Sequence, residues 1–214
     1  MEHDSVGSID NHCIRTNISI MVNKVIIKKI IGISTFFLMF LVTLGFMVGL
    51  LATFIDSTSL YYLEQLNYLV IKGYYYELFT SIFITNSFVD FIFNFISLYV
   101  IYLIFGSRAG KHEYGIFILA GILGNLLTVI FYSPFTLSSG ASGGIFGLLS
   151  YYTFYDFLKK DNLGVYGLVF LVSVFGVSDL IFPNVNVVAH IGGILGGIMY
   201  AVVYYLIRSG RTIK

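Results

Sequence analysis

The sequence predicts an all-α membrane protein, a bundle of six transmembrane helices with both termini in the cytoplasm. Three observations predict it. The 214 residues are 57% hydrophobic and 11% charged, with a mean hydropathy of +0.89, whereas soluble domains carry about 25% charged residues. Several apolar runs reach the roughly 20 residues that span a bilayer. The basic residues, followed loop by loop, gather on one side of those runs.

The length suits one domain. Residues 1–29 read as a cytoplasmic tail, polar and mixed through residue 23 and ending in Lys24, Lys28 and Lys29. They lack the charged start and short apolar stretch of a removable signal peptide. Residues 30–207 hold the spans, and residues 208–214 form a second cytoplasmic tail. The first span is expected over about Ile30–Ile55, ended by Asp56-Ser57-Thr58-Ser59. Residues 56–87 are tyrosine-rich but carry Glu64, Lys72 and Glu77. They are too polar for a span and too apolar for a soluble loop, so they read as an interfacial loop, where tyrosine is favoured. The second span is expected over Phe88–Phe105, followed by a charged turn of Arg108, Lys111, His112 and Glu113. The third covers about Tyr114–Tyr132, and the uncharged loop Ser133–Ala141 leads to a fourth over Ser142–Leu158. Lys159-Lys160-Asp161 separates it from a fifth over Leu163–Phe182, which Pro183-Asn184 breaks. The sixth covers about Val187–Ile207, with Arg208, Arg211 and Lys214 after it.

This division leaves only Lys72, of twelve basic residues, on the side away from the termini. Positive charge stays inside, which puts both termini in the cytoplasm. The single cysteine, Cys13, excludes an internal disulfide and a cysteine-based zinc site. The basic residues flank the spans as anchors and form no patch for nucleic acid.

Depth brings the chemistry together. Ser142 opens the fourth span, His190 lies about one turn into the sixth, and Asp90 and Asn94 lie near the start of the second. All three spans begin at the outer face, and Asp179 joins them from the outer end of the fifth. Polar groups at membrane depth are costly and face the protein interior or a wet cavity. Glycines four apart recur on two of these helices: Gly140, Gly143, Gly144 and Gly147 around Ser142, and Gly192, Gly193, Gly196 and Gly197 after His190. Small residues at that spacing let helix backbones approach closely. Close packing of the fourth and sixth spans would bring Ser142 against His190. A lone membrane serine is usually bonded to its own helix, and a lone histidine is more often a buried polar contact. Paired at one depth on glycine-lined helices, they read as a nucleophile and its general base. Backbone N–H groups at the start of the fourth span would face the developing oxyanion. Asn94 could add its amide there, or could serve equally well as an interhelical hydrogen bond.

Gly140-Ala-Ser142-Gly143-Gly-Ile-Phe-Gly147 resembles the GxSGxxxG motif of rhomboid intramembrane serine proteases. Ala189-His190-Ile-Gly-Gly193 with Gly197 resembles their AHxxGxxxG motif, and the expected six-span bundle is similar to their minimal form. The resemblance covers about residues 30–207 and implies a Ser142–His190 dyad without an acid. It also implies oxyanion stabilisation by the Ser142 backbone N–H and Asn94. Phe146 falls where the family often stacks a tyrosine on the histidine; it can stack but cannot donate a hydrogen bond. Residues 56–87 correspond to a membrane-embedded first loop, with Tyr76-Glu77 in place of the usual Trp-Arg. Asp90 and Thr85 stand where the family often has histidines, and the family's glutamate after the second span has no clear counterpart. An ionised Asp90 would repel an oxyanion, so it is expected to be neutral, turned away or bonded elsewhere, without serving the oxyanion directly.

The expected function is therefore intramembrane cleavage of single-span or polytopic membrane-protein substrates near the outer face of the bilayer. It needs no metal or cofactor, and a prokaryotic chain would sit in the plasma membrane. Substrates would carry helix-weakening residues and a small residue before the cut, entering laterally between the second and fifth spans. Two rivals remain from other classes. One is a proteolytically silent relative that binds membrane clients, although such relatives typically lack the serine or histidine. The other is a small transporter using Asp90, Asp179 and His190 as a proton path, although no inverted repeat of the kind common in transporters is apparent.

Overall fold

Apolar stretches cannot leave backbone groups unpaired in lipid, so each becomes a helix. The computed structural model describes residues 33–181 and 185–210. Its long helices are α1 (Ile33–Ile55), α5 (Phe88–Phe105), α6 (His112–Phe131), α7 (Ser142–Leu158), α8 (Leu163–Ile181) and α9 (Val187–Gly210). Between α1 and α5 lie a 3-10 turn (Ser57–Ser59) and three short α-helices, α2 (Leu60–Leu63), α3 (Asn67–Ile71) and α4 (Glu77–Thr80). Two residues of each of two loops, β1 (Gln65–Leu66) and β2 (Leu137–Ser138), pair antiparallel, with Gln65 opposite Ser138.

Five of the helices, α1, α5, α6, α8 and α9, are long and apolar enough to cross a membrane. Their outer faces carry large apolar side chains, with Phe54 83% and Leu180 86% exposed. Such continuous apolar surface suits lipid and not water, and the chain is a multi-pass integral membrane protein. Helix α7, at 17 residues, is the central one. It is buried from Gly143 through Thr153 and packs against α9, α6 and α8. A helix surrounded in this way can be apolar on every face.

The expected second and fourth helical runs coincide with α5 and α7. Helix α9 continues through Gly210, three residues into the segment expected as the second tail. The remaining tail segments, Ile30–Gly32 at the start of the first run, Phe182 at the end of the fifth and the Pro183-Asn184 break lie outside the described residues.

Two polar stretches differ from their expectation. Residues 56–87 do not merely float at an interface. Tyr61, Tyr62 and Tyr75 are exposed, as an interfacial reading requires, but Glu64, Gln65, Asn67 and Glu77 are buried. Gln65 Nε2 donates to the Asn125 carbonyl at 3.1 Å, and Asn67 Nδ2 donates to the Thr128 carbonyl at 3.2 Å. Asn125 Nδ2 donates back to the Leu78 carbonyl and to Ser81 Oγ, both at 2.9 Å. These bonds pin the segment to α6. The second difference is the charged turn after α5. Gly106 ends α5 in the left-handed region at φ 61°, and α6 begins at His112 with Glu113 fully buried. Glu113 accepts from Thr35 Oγ1 at 2.8 Å and from Tyr152 Oη. A buried glutamate therefore does follow the second long apolar helix. Arg108 closes the same end of the bundle by donating to Asp156 at 2.6 Å.

Candidate active site

Ser142 is the first residue of α7, and the loop before it is held from two sides. Gly140 adopts φ +120°, a conformation that side-chain-bearing residues rarely take. Its N–H donates to the Ser81 carbonyl at 2.9 Å. Ser139 Oγ donates to Glu64 Oε1 at 3.0 Å. The inward-facing loop residues thus fix the approach to the serine. The leading amides of a helix have no acceptor further back along the chain, so the N–H groups opening α7 are free to face a developing negative charge.

Helix α9 carries His190 one turn from its start. Asn186 caps that start, its Oδ1 accepting from the Ala189 N–H at 2.9 Å. Its Nδ2 donates to Thr128 Oγ1 at 2.9 Å and to Ser138 Oγ at 2.8 Å, tying α9 to α6 and to the loop before Ser142. His190 Nε2 lies 2.9 Å from Ser142 Oγ. His190 Nδ1 lies 2.9 Å from Asp179 Oδ1 and 3.2 Å from Asp179 Oδ2. The Phe146 ring sits against the imidazole, with centroids 4.4 Å apart and planes tilted by 39°.

The backbones of α7 and α9 meet directly. A Cβ at Gly193 would collide with the Gly143 carbonyl, and one at Gly197 with the Gly147 carbonyl. Ser150 Oγ adds a bond to the Ile194 carbonyl at 3.0 Å. The other glycine pair on α9 does different work. Gly192 and Gly196 face α6, against Gly124 and Ala120. Positions one apart on a helix point about 100° apart, so adjacent pairs serve two neighbours.

Helix α5 supplies the third wall. Ser87 Oγ caps it by accepting from the Asp90 N–H at 3.2 Å. Asn94 Nδ2 and Asp90 Oδ2 are both buried without a hydrogen bond of ordinary geometry, although the Asn94 amide lies near enough to the Asp90 carboxyl to interact with it. Asp90 lies beside Thr85 and Asn94 and directs Oδ2 toward Gly140. A cavity of about 540 Å³ joins Ser142, His190, Asn94, Asp90, Thr85 and Phe146. All the residues selected from the sequence therefore share one space, except Asp179, which reaches it through His190.

A family model described as "Rhomboid domain" matches residues 72–207, well over half of the chain. The chain belongs to the rhomboid family. Helix α1 and the first half of the loop after it precede the matched region. The chain is 27% identical over 134 residues to the "Putative rhomboid protease YdcA" of Bacillus subtilis strain 168, covering 61% of this chain and 67% of that protein. It is 28% identical over 156 residues to the "Rhomboid protease GluP" of the same strain, covering 67% of this chain but 29% of that one.

Two contacts in this rhomboid escaped the sequence reading. Asp179 was placed in the right layer but not on His190. The signal available was the short connection between the fifth and sixth apolar runs, which returns residue 190 to the depth of residue 179. Asn186 was passed over, although an asparagine directly before an apolar helical run is a helix-start signal.

Proposed function

We propose that the chain is an intramembrane serine endopeptidase that cleaves transmembrane segments of other membrane proteins. The observation that carries this reading is the 2.9 Å contact between His190 Nε2 and Ser142 Oγ in a cavity that Asn94 also lines. His190 takes the hydroxyl proton as Ser142 Oγ bonds to the substrate carbonyl carbon. Charge moves onto the carbonyl oxygen, which the Ser142 backbone N–H and Asn94 Nδ2 stabilise. His190 then gives its proton to the leaving amine nitrogen as the C–N bond breaks. Water, activated by the same histidine, hydrolyses the acyl-enzyme. Phe146 holds the imidazole by its face. Asp90 lines the cavity without serving the oxyanion.

On this reading α7 also crosses the membrane, as the fourth of six spans, residues 30–207 are the catalytic domain, and both tails lie in the cytoplasm. The site opens toward the extracytoplasmic face of what would be the plasma membrane in a prokaryote. Substrates enter between α5 and α8, whose Phe93 and Val174 flank the cavity. An intact substrate helix hides its carbonyls in its own hydrogen bonds, so substrates unwind near the cut.

The test is cleavage of a fluorescent single-span substrate by the purified protein, with labelling by a fluorophosphonate probe. Both are expected to vanish in Ser142→Ala and His190→Ala. A folded wild type that neither cleaves nor labels would favour a silent client-binding protein. Proton-coupled uptake lost in Asp179→Asn but kept in Ser142→Ala would favour a transporter.

A further inference from the structure

The geometry points to Asp179 as a positioning residue that completes a Ser142–His190–Asp179 relay, in place of the two-residue dyad that the family resemblance implies. The inference rests on the protease reading and extends it. His190 is engaged at both ring nitrogens: Nε2 meets Ser142 Oγ at 2.9 Å, and Nδ1 meets the Asp179 carboxylate at 2.9 and 3.2 Å. Both side chains are nearly enclosed, with His190 3% and Asp179 5% exposed. The Phe146 ring covers one face of the imidazole. Ser178 Oγ lies 3.1 Å from Asp179 Oδ2 and 3.2 Å from the Phe175 carbonyl, within reach of donating to either.

The chemistry depends on where the ring proton sits. A neutral imidazole has one N–H and one lone pair. An ionised carboxylate only accepts, so Asp179 selects the tautomer with the proton on Nδ1. The lone pair is then on Nε2, facing the Ser142 hydroxyl, as a general base requires. The opposite tautomer would present an N–H to the serine and could not take its proton. When His190 receives that proton, Asp179 also faces the resulting imidazolium. The aspartate is supplied by α8, a different element from the α9 that carries the histidine, so the two are brought together by the fold and not by local sequence.

The experiment compares purified full-length wild type with Asp179→Asn, Asp179→Ala and Asp179→Glu. It reads the rate of Ser142 phosphonylation, and kcat and KM on a single-span substrate. Asp179→Asn and Asp179→Ala are expected to slow phosphonylation and kcat by about 10²–10⁴-fold, the usual worth of a positioned acid–base system. KM is expected to stay within about two-fold, because only the transition state is affected. Asp179→Glu should recover part of the rate. Proton–nitrogen spectra of histidine-labelled wild type should contain a strongly downfield His190 Nδ1–H signal, lost in Asp179→Ala and retained in Ser142→Ala. Wild-type kinetics in a folded Asp179→Asn would overturn the inference and leave the dyad standing. If the variants fail to fold, a wild-type spectrum without that Nδ1–H signal overturns it instead. A wild type unreactive at Ser142 overturns the protease reading itself, and the relay with it.

Discussion

Asn94 and Asn186 are the same residue type doing opposite work. Asn186 uses both ends of its amide: it caps α9 and bridges to Thr128 and Ser138. Its replacement by alanine should cost about 0.5–2 kcal/mol for the cap alone, read as a lower thermal midpoint, with Asn186→Asp keeping the cap. Asn94 lines the cavity with Ser142, its amide near the Asp90 carboxyl. Asn94→Ala should leave the fold intact and lower kcat by about 10²–10³-fold, as removal of one oxyanion donor does; an unchanged kcat would make it a purely structural residue. The Ser142–His190 contact was legible in the sequence because glycines flank Ser142 and follow His190 on the helices that bring them together. The Asp179–His190 contact was not, because it depends on how α8 and α9 face each other. Hydrophobic patterning gives the depth of a residue but not the direction of its side chain.

The elements divide into those read from periodicity and those that needed tertiary contacts. Helices α5 and α7 have the expected bounds because charged or polar residues flank each apolar run. The loop 56–87 was legible only by exclusion, since its buried polar groups answer to α6 and not to a local pattern. Burial pushes the Glu64 carboxyl up, and the bond from Ser139 opposes that shift only in part. A raised carboxyl pKa in the folded state penalises the native protein at high pH. Glu64→Gln should therefore raise the thermal midpoint above neutrality, and its advantage should shrink as pH falls through the raised value toward the ordinary glutamate range. A constant difference across pH would show that the hydrogen bond, and not the charge, decides. The α7–α9 contact makes a sharper prediction. Gly193→Ala must force the two helices apart, at about 1–3 kcal/mol or more for overpacking, with loss of Ser142 labelling. Gly176→Ala on α8 meets nothing within 4 Å and should be tolerated.

At the scale of the whole molecule, the two ends of the bundle are built differently. One end carries the cavity, with the starts of α5, α7 and α9 around it. The other is locked by Arg108 on Asp156 and by Glu113 among Thr35, Ser107 and Tyr152. The proposed orientation puts the locked end in the cytoplasm, and the sole cysteine, Cys13, reports on it. A membrane-impermeant maleimide should label Cys13 only after intact cells are permeabilised; labelling of intact cells would invert the topology. Bilayers differ in thickness, and spans respond by tilting. Because α7 and α9 touch main chain to main chain, they can lean only together, as a single stiff rod. A thinner or thicker membrane would then change how a substrate arrives and how α8 stands, while the gap between serine and histidine stays the same.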